Sequence, residues 1–181
     1  MSVAKVASRI LIIDCSIAHA AGPEDAKHPT SKNCRDFLLA VLRICHRIGM
    51  SRAVADEWKR HRSGFARQWL VSMHARRKVA LIRAEEDASL REVISTLAKT
   101  DKACRAMLKD VHLLESAAQS DRRVAALDET VRRLFAEISQ HHKPIRSICW
   151  VNPDLEFEEA SAWLDAGAPI DKSKQLHSFP V

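Results

Sequence analysis

The stretch Arg9-Ile-Leu-Ile-Ile-Asp14 decides the fold. Its four aliphatic residues carry no polar alternation. Such a run reads as a β-strand covered on both faces, as at the centre of a parallel sheet. An acid follows at once, so Asp14 is expected at the strand's carboxyl end. Open parallel sheets bind ligands outside that end, near the point where strand order reverses.

Outward from this strand, short apolar runs alternate with helical periodicity. Residues 22–30 contain Gly22, Pro23 and Pro29 and read as a loop. Ser31 is expected to cap a helix with Phe37, Leu38, Val41, Leu42 and Cys45 on one side, ended by Gly49. Met50-Ser51 reads as a short strand, followed by a helix over about 52–62. Phe65, Trp69 and Met73 stand four apart and predict a helix over 65–76. Further strands are expected at 78–82, 122–127 and 145–151. Leu90, Val93, Ile94 and Leu97 mark a helix. Met107, Val111, Leu114 and Ala118 mark the next, and Val131, Leu134, Phe135 and Ile138 another. Phe157, Ala160 and Leu164 mark the last, closed by Gly167 and Pro169. This order predicts an α/β fold, a three-layer α/β/α sandwich with a central parallel sheet.

At 181 residues the chain is expected to be one domain. No apolar run approaches the roughly 20 residues of a membrane span. Lys5 and Arg9 are followed by no signal-length apolar stretch, so no secretory leader is expected. The glycines, 22, 49, 64 and 167, are too far apart for a GxGxxG or Walker loop. Cys15, Cys34, Cys45, Cys104 and Cys149 contain no CxxC pair. They read as thiols in or near a core, in a cytoplasmic, reducing setting, and not as a structural zinc site.

Twenty-nine Lys and Arg against 23 Asp and Glu give a net charge of +6, unevenly spread. Residues 43–83 hold eleven Lys and Arg and only Asp56 and Glu57 as acids. Clustered positive charge attracts polyanions, nucleic acid above all. A solvated helix face is the alternative for such a run.

Four acids stand in unusual places. Asp14 and Asp128 each follow an apolar run, and both are expected at strand ends. Glu57 and Asp110 lie one turn from apolar positions of their helices and can project at the rim of a core. Each has a plainer reading. Asp14 can begin a turn, and Asp128 can cap the helix after it. Glu57 can pair with Arg60 or His61, and Asp110 can face solvent. Four carboxylates gathered together would repel and need a cation. Oxygen ligands without His or Cys select Mg²⁺ or Mn²⁺.

Four segments carry a resemblance: Leu11-Ile-Ile-Asp14-Cys-Ser16, Met50-Ser-Arg-Ala-Val-Ala-Asp-Glu57-Trp58, Lys109-Asp110-Val-His112 and Arg123-Val-Ala-Ala-Leu-Asp128-Glu129. In their order, and in the 18-residue step from Asp110 to Asp128, the chain resembles the PIN-domain nucleases. The resemblance covers about residues 8–151, with 152–181 as a carboxyl-terminal extension of one PIN-like domain. It implies a strand order of 3-2-1-4-5 and a Mg²⁺- or Mn²⁺-dependent endoribonuclease cutting single-stranded RNA. Asp14 and Asp110 would be the central metal ligands, with Glu57 and Asp128 completing the cluster. Ser16 would orient Asp14 or a metal-bound water, and His112 would orient an acid or a phosphate. A hydrogen-bonded structural role is the alternative for His112. Arg60, Arg62, Arg76 and Arg77 are candidates to guide the RNA backbone. Bacterial toxins of the family are held by a small antitoxin, and PIN-like domains often pair, so an antitoxin and a homodimer are the implied protein partners.

The chain departs from the family pattern at Ala126, where a Ser or Thr usually stands two residues before the last Asp. This keeps open a catalytically degraded RNA-binding or scaffolding module. A structure-specific DNA nuclease is a third reading. Asp121 lies before its strand, so it is expected at the wrong sheet edge to replace Asp128. Glu115 lies about 140° around its helix from Asp110, so it is not expected as a ligand. Trp58 and Trp69 could stack on bases, or could pack the core.

Overall fold

The aliphatic run forms β1 (Ile10–Ile13), the central strand of a five-stranded parallel sheet, in a computed structural model describing residues 7–23 and 25–180. Lys5 lies outside the described residues. Leu11, Ile12 and Ile13 are fully buried, as both faces of β1 are covered.

The chain then runs through α1 (Cys15–Ala20), α2 (Pro29–Arg43), β2 (Arg47–Met50), α3 (Arg52–His61), α4 (Gly64–Ala75) and β3 (Val79–Leu81). It continues with α5 (Ala88–Leu97), α6 (Asp101–Ala118), β4 (Arg123–Ala125), α7 (Glu129–Ser139), β5 (Cys149–Val151) and α8 (Ala160–Asp165). The strand order is β3-β2-β1-β4-β5. Ile10 pairs with Arg47 on one side of β1, and Ile12 with Val124 on the other.

Crossovers of one hand that leave a central strand in opposite directions place their helices on opposite faces. The observed packing follows: α2 touches α4 and α8, whereas α5, α6 and α7 pack on one another. The predicted α/β/α sandwich and its strand order are therefore both present. No helix among the described residues is long and apolar enough to cross a membrane.

Several local expectations change. Pro29, not Ser31, opens α2, since proline suits the first turn, where its missing N–H is not needed. Gly49 does not end that helix but lies inside β2. A Cβ there would stand 2.6 Å from Ile12 Cδ1 and 2.9 Å from Ile10 Cγ2, so the missing side chain lets β2 close on β1. The strand expected over 145–151 shortens to β5, because Lys143–Ile145 forms a 3-10 turn. Phe157 does not join a core stripe; it sits in a 3-10 turn before α8 and is exposed.

Residues 152–180 fold onto the sandwich. Arg132 on α7 meets Glu158 at 2.6 Å and lies 4.2 Å over the Phe179 ring. Lys174 Nζ donates to Glu158 O at 2.7 Å. Asp154 accepts from Thr30 Oγ1 and Asn33 Nδ2, tying the segment after β5 to α2. His46 is fully buried before β2. Its Nδ1 accepts the Arg9 N–H at 3.2 Å, so Nε2 carries the proton and donates to Leu164 O at 2.9 Å.

Two outcomes follow. Gly49→Val should cost about 1–3 kcal/mol of stability by crowding β1, read from urea unfolding. Burial holds His46 below its usual pKa, outweighing the bond to Leu164 O. The folded state thus binds fewer protons than the unfolded one just below the ordinary histidine range. Stability is intact above about pH 6.5 and falls as pH drops below it. Thermal melts between pH 7.5 and 5.5 should show a smaller loss for His46→Gln than for wild type; equal losses would refute the assignment.

Candidate functional site

The peptide after Ile13 positions the site. Asp14 N–H donates to Ala125 O at 2.8 Å, carrying the β1–β4 pairing one residue beyond the strand. Asp14 then caps α1, its Oδ2 accepting the Ser16 N–H at 3.0 Å. Asp14 therefore stands at the carboxyl edge, between the strands where the order reverses. Ser16 orients Asp14 through its backbone, while its hydroxyl accepts the Leu127 N–H at 3.3 Å.

Helix α3 brings Glu57 to the same edge. Ser51 caps it, and the buried Trp58 donates from Nε1 to Ile13 O at 2.7 Å. That bond pins α3 over the end of β1 and leaves the neighbouring Glu57 on the rim. Trp69 donates to Leu38 O and packs 5.8 Å from Trp58, so both tryptophans are core residues. Helix α6 brings Asp110 and His112. Ser116, one turn beyond His112, lies 2.9 Å from the Ser51 hydroxyl and locks α6 to the start of α3.

Three of the four predicted acids converge. Burial raises the Asp110 carboxyl, and the charges of Asp14 and Glu57 raise it further. Lys109 and His112 pull it down, and it settles at about 6. Cys15 also faces the site, its thiol donating to Glu57 Oε2 at 3.4 Å. Burial, then Asp14 and Glu57, push this thiol far up and keep it protonated. Among the described residues, the ligand atoms of Asp14, Cys15 and Glu57 lie within 4.8 Å of one another, a grouping able to hold a metal ion. Nδ1 of His112 donates to Lys109 O at 3.0 Å, and Nε2 stops 3.5 Å from Glu57 Oε2.

Asp128 takes its plainer reading. It is exposed, lies three residues past the end of β4, and caps α7 by accepting the Val131 N–H at 2.9 Å. Its carboxylate answers an orphan helix N–H and is not among the charges acting on Asp110. Asp121 binds the Ile10 N–H at 2.7 Å, at the opposite sheet edge. Glu115 accepts from Arg91 Nε and Nη2, at 2.8 and 3.0 Å.

The arginines divide. Arg60 and Arg62 end α3, the helix that carries Glu57. Arg76 and Arg77 follow α4 just before β3, which puts them at the amino edge, away from the acids. A groove of about 810 Å³ is lined by Leu39, Arg43, Arg76 and Asp165 and shares no residue with the acid cluster. A smaller cavity of about 280 Å³ adjoins it through His112, beside Ser51, Asp56 and Glu115.

Sequence reasoning missed Cys15 as a site residue, because a cysteine among apolar neighbours reads as packing. Its place directly after the strand-end acid was the available signal. Lys109, beside Asp110, likewise acts on the site through its charge. No family model, no curated protein and no solved structure matches the chain.

A raised acid pKa fixes a sign. Asp110 favours folding when protonated, and that advantage is lost as pH rises through about 6. Asp110→Asn should therefore raise metal-free stability at pH 8 by about 1–2 kcal/mol, limited by partial exposure, and by much less at pH 4. Urea unfolding with chelator at both pH values checks it.

Proposed function

We propose that this chain is a PIN-like, divalent-metal-dependent endoribonuclease acting on single-stranded RNA. One observation carries the reading: the Asp14 and Glu57 carboxylates lie within 4.8 Å of each other at the carboxyl edge of the sheet, where strand order reverses, and both act on Asp110. Asp14 caps α1, but that cap does not require Glu57 and Asp110 beside it. Their donor set is mostly hard oxygen, which fits Mg²⁺ or Mn²⁺. Asp14, Glu57 and Asp110 would hold the ion. Once bound, a divalent ion lowers the pKa of an attacking water and offsets charge on the phosphate.

The chain's own residues do the positioning. The Ser16 N–H holds Asp14 Oδ2. His112 Nε2 stands 3.5 Å from one Glu57 carboxylate oxygen. Arg60 in the last turn of α3, Arg62 at its C-cap and Lys109 beside Asp110 would meet RNA phosphates. A small antitoxin and a second copy of the chain are the protein partners this reading carries with it.

A second reading has a specific observation behind it. Asp128 is spent on capping α7, and Ala126 offers no hydroxyl beside it. A cluster short of one acid suits a catalytically degraded RNA-binding or scaffolding module.

One experiment separates the readings: an end-labelled single-stranded RNA incubated with Mn²⁺ or Mg²⁺, with EDTA controls and a matched DNA. Wild type should cut the RNA, with a loss of about 10²-fold or more in Asp14→Asn and in Asp110→Asn. Asp128→Asn should cut far better than either. Faster cutting of the DNA moves the substrate class. Folded wild type that neither cuts nor gains thermal stability with Mn²⁺ supports the binding module.

A further inference from the structure

We propose that the outer edge of β3 is a docking site for an extended acidic peptide of a partner protein, which joins the sheet as a sixth strand. The inference stands apart from the acid cluster and does not rest on the nuclease reading.

The backbone carries the first half of the argument. β3 is the outermost strand on its side of the sheet. Ile48 N–H donates to Lys78 O at 2.9 Å, and Ile82 N–H donates to Met50 O at 3.0 Å. In a parallel ladder, alternate residues turn their N–H and C=O groups to the same side. Ala80 therefore points its groups at β2, and Val79 and Leu81 point theirs outward. The opposite edge of the sheet is closed by the chain itself. Gln175 bridges Cys149 of β5 in the antiparallel sense, and Leu176 N–H donates to Ile148 O at 3.0 Å. Among the described residues no segment closes β3 in this way. An open row of donors and acceptors is a template for another strand.

The side chains select the strand that fits. Leu81 is 85 % exposed, more than any other large apolar side chain among the described residues. Arg77 precedes β3 and Arg83 follows it; both are exposed, and neither is ion-paired among the described residues. Lys78 is turned inward, its Nζ donating to Leu42 O at 2.7 Å. Glu86 is engaged by Arg91 at 3.6 Å, which leaves Glu85 as the one unpaired acid over residues 76–86. A second copy of the chain fits this edge badly. Antiparallel pairing of two β3 edges with Val79 opposite Leu81 also sets Arg77 opposite Arg83, twice. Like charges directly opposite one another destabilise a sheet. RNA would meet the arginines, but it offers no regular row of donors to the outward carbonyls. A peptide with acids at both ends and an apolar middle satisfies the ladder, the arginines and Leu81 together. Its acids belong about 20 Å apart, the extended span from Arg77 to Arg83.

The test measures binding of short synthetic peptides to the full chain by fluorescence anisotropy. Their middles alternate valine and threonine, and their ends carry either glutamate or lysine. The glutamate peptide should bind, more weakly at high salt, and the lysine peptide should not. Bound peptide should slow hydrogen exchange at the Val79 and Leu81 amides. Replacing both arginines, Arg77→Ala with Arg83→Ala, should weaken binding about five- to tenfold. Leu81→Pro, which removes an outward donor from an edge strand, should weaken it about tenfold, and Leu81→Thr, which keeps the donor, by less. Circular dichroism and thermal melts check folding; if Leu81→Pro unfolds, the arginine pair and Leu81→Thr still decide. A folded wild type that does not bind the glutamate peptide, or binds the lysine peptide equally well, overturns the inference. So does binding that both the arginine pair and Leu81→Thr leave unchanged. Protection of Val79 and Leu81 at high protein concentration without peptide puts a second copy on the edge and overturns it. Protection by single-stranded RNA, with displacement of the peptide, makes the edge an RNA site and overturns it equally.

Discussion

The peptide that joins Ile13 to Asp14 is bonded at both ends. Its N–H donates to Ala125 O and its C=O accepts from Trp58 Nε1, at 2.8 and 2.7 Å. A buried peptide must place both groups, and each unmade bond costs about 1–3 kcal/mol. Here the two bonds reach different elements, β4 and α3. One planar unit therefore sets the register of β1 on β4 and the seat of α3 above them. Asp14 leaves this unit directly, and Glu57 precedes the tryptophan that grips it. The spacing of the two acids follows from backbone geometry rather than from any attraction between them.

Attraction is indeed what the acids lack. Asp110 is held up at about 6 by burial and by its two acidic neighbours, so the metal-free cluster opposes folding at neutral pH. Such strain persists only where the surroundings over-determine the geometry. They do so here through the buried run of β1, the Ser51–Ser116 contact and the Arg132–Glu158 pair in the first turn of α7. Stability lost at a functional edge and recovered in the core is a common pattern.

The fold was legible because its signals are long. β1 is a continuous apolar run, and α4 and α6 repeat their apolar residues over several turns. α1 was not, since six residues are too few to show a period. Gly49 misled because glycine ends helices by its backbone freedom, whereas here it serves by having no side chain. At the site, Asp14, Glu57 and Asp110 were legible from a strand end and two helix rims. Asp128 was ambiguous by nature: an acid just before a helix reads equally as ligand and as cap, and the orphan N–H of Val131 decided it. Cys15 was hidden by its own type. Arg76 and Arg77 seemed close to Glu57 along the chain, but α4 carries them to the other sheet edge.

That separation changes what the net charge means. The basic block over 43–83 does not form one surface, because the strand–helix–strand crossover spreads it over both edges of the sheet. A field from the amino edge is screened within about 8–10 Å of solvent at ordinary ionic strength. The approach of a polyanion to the acids is then governed by local charge: Arg60, Arg62 and Lys109 against Asp14, Glu57 and Asp110. Without a bound cation that balance is unfavourable at the carboxylates themselves. A bound divalent ion would reverse it and would make the Asp110 proton unnecessary. In the proposed reaction the cation therefore precedes the RNA, and the order of binding is set by the repulsion built into the cluster.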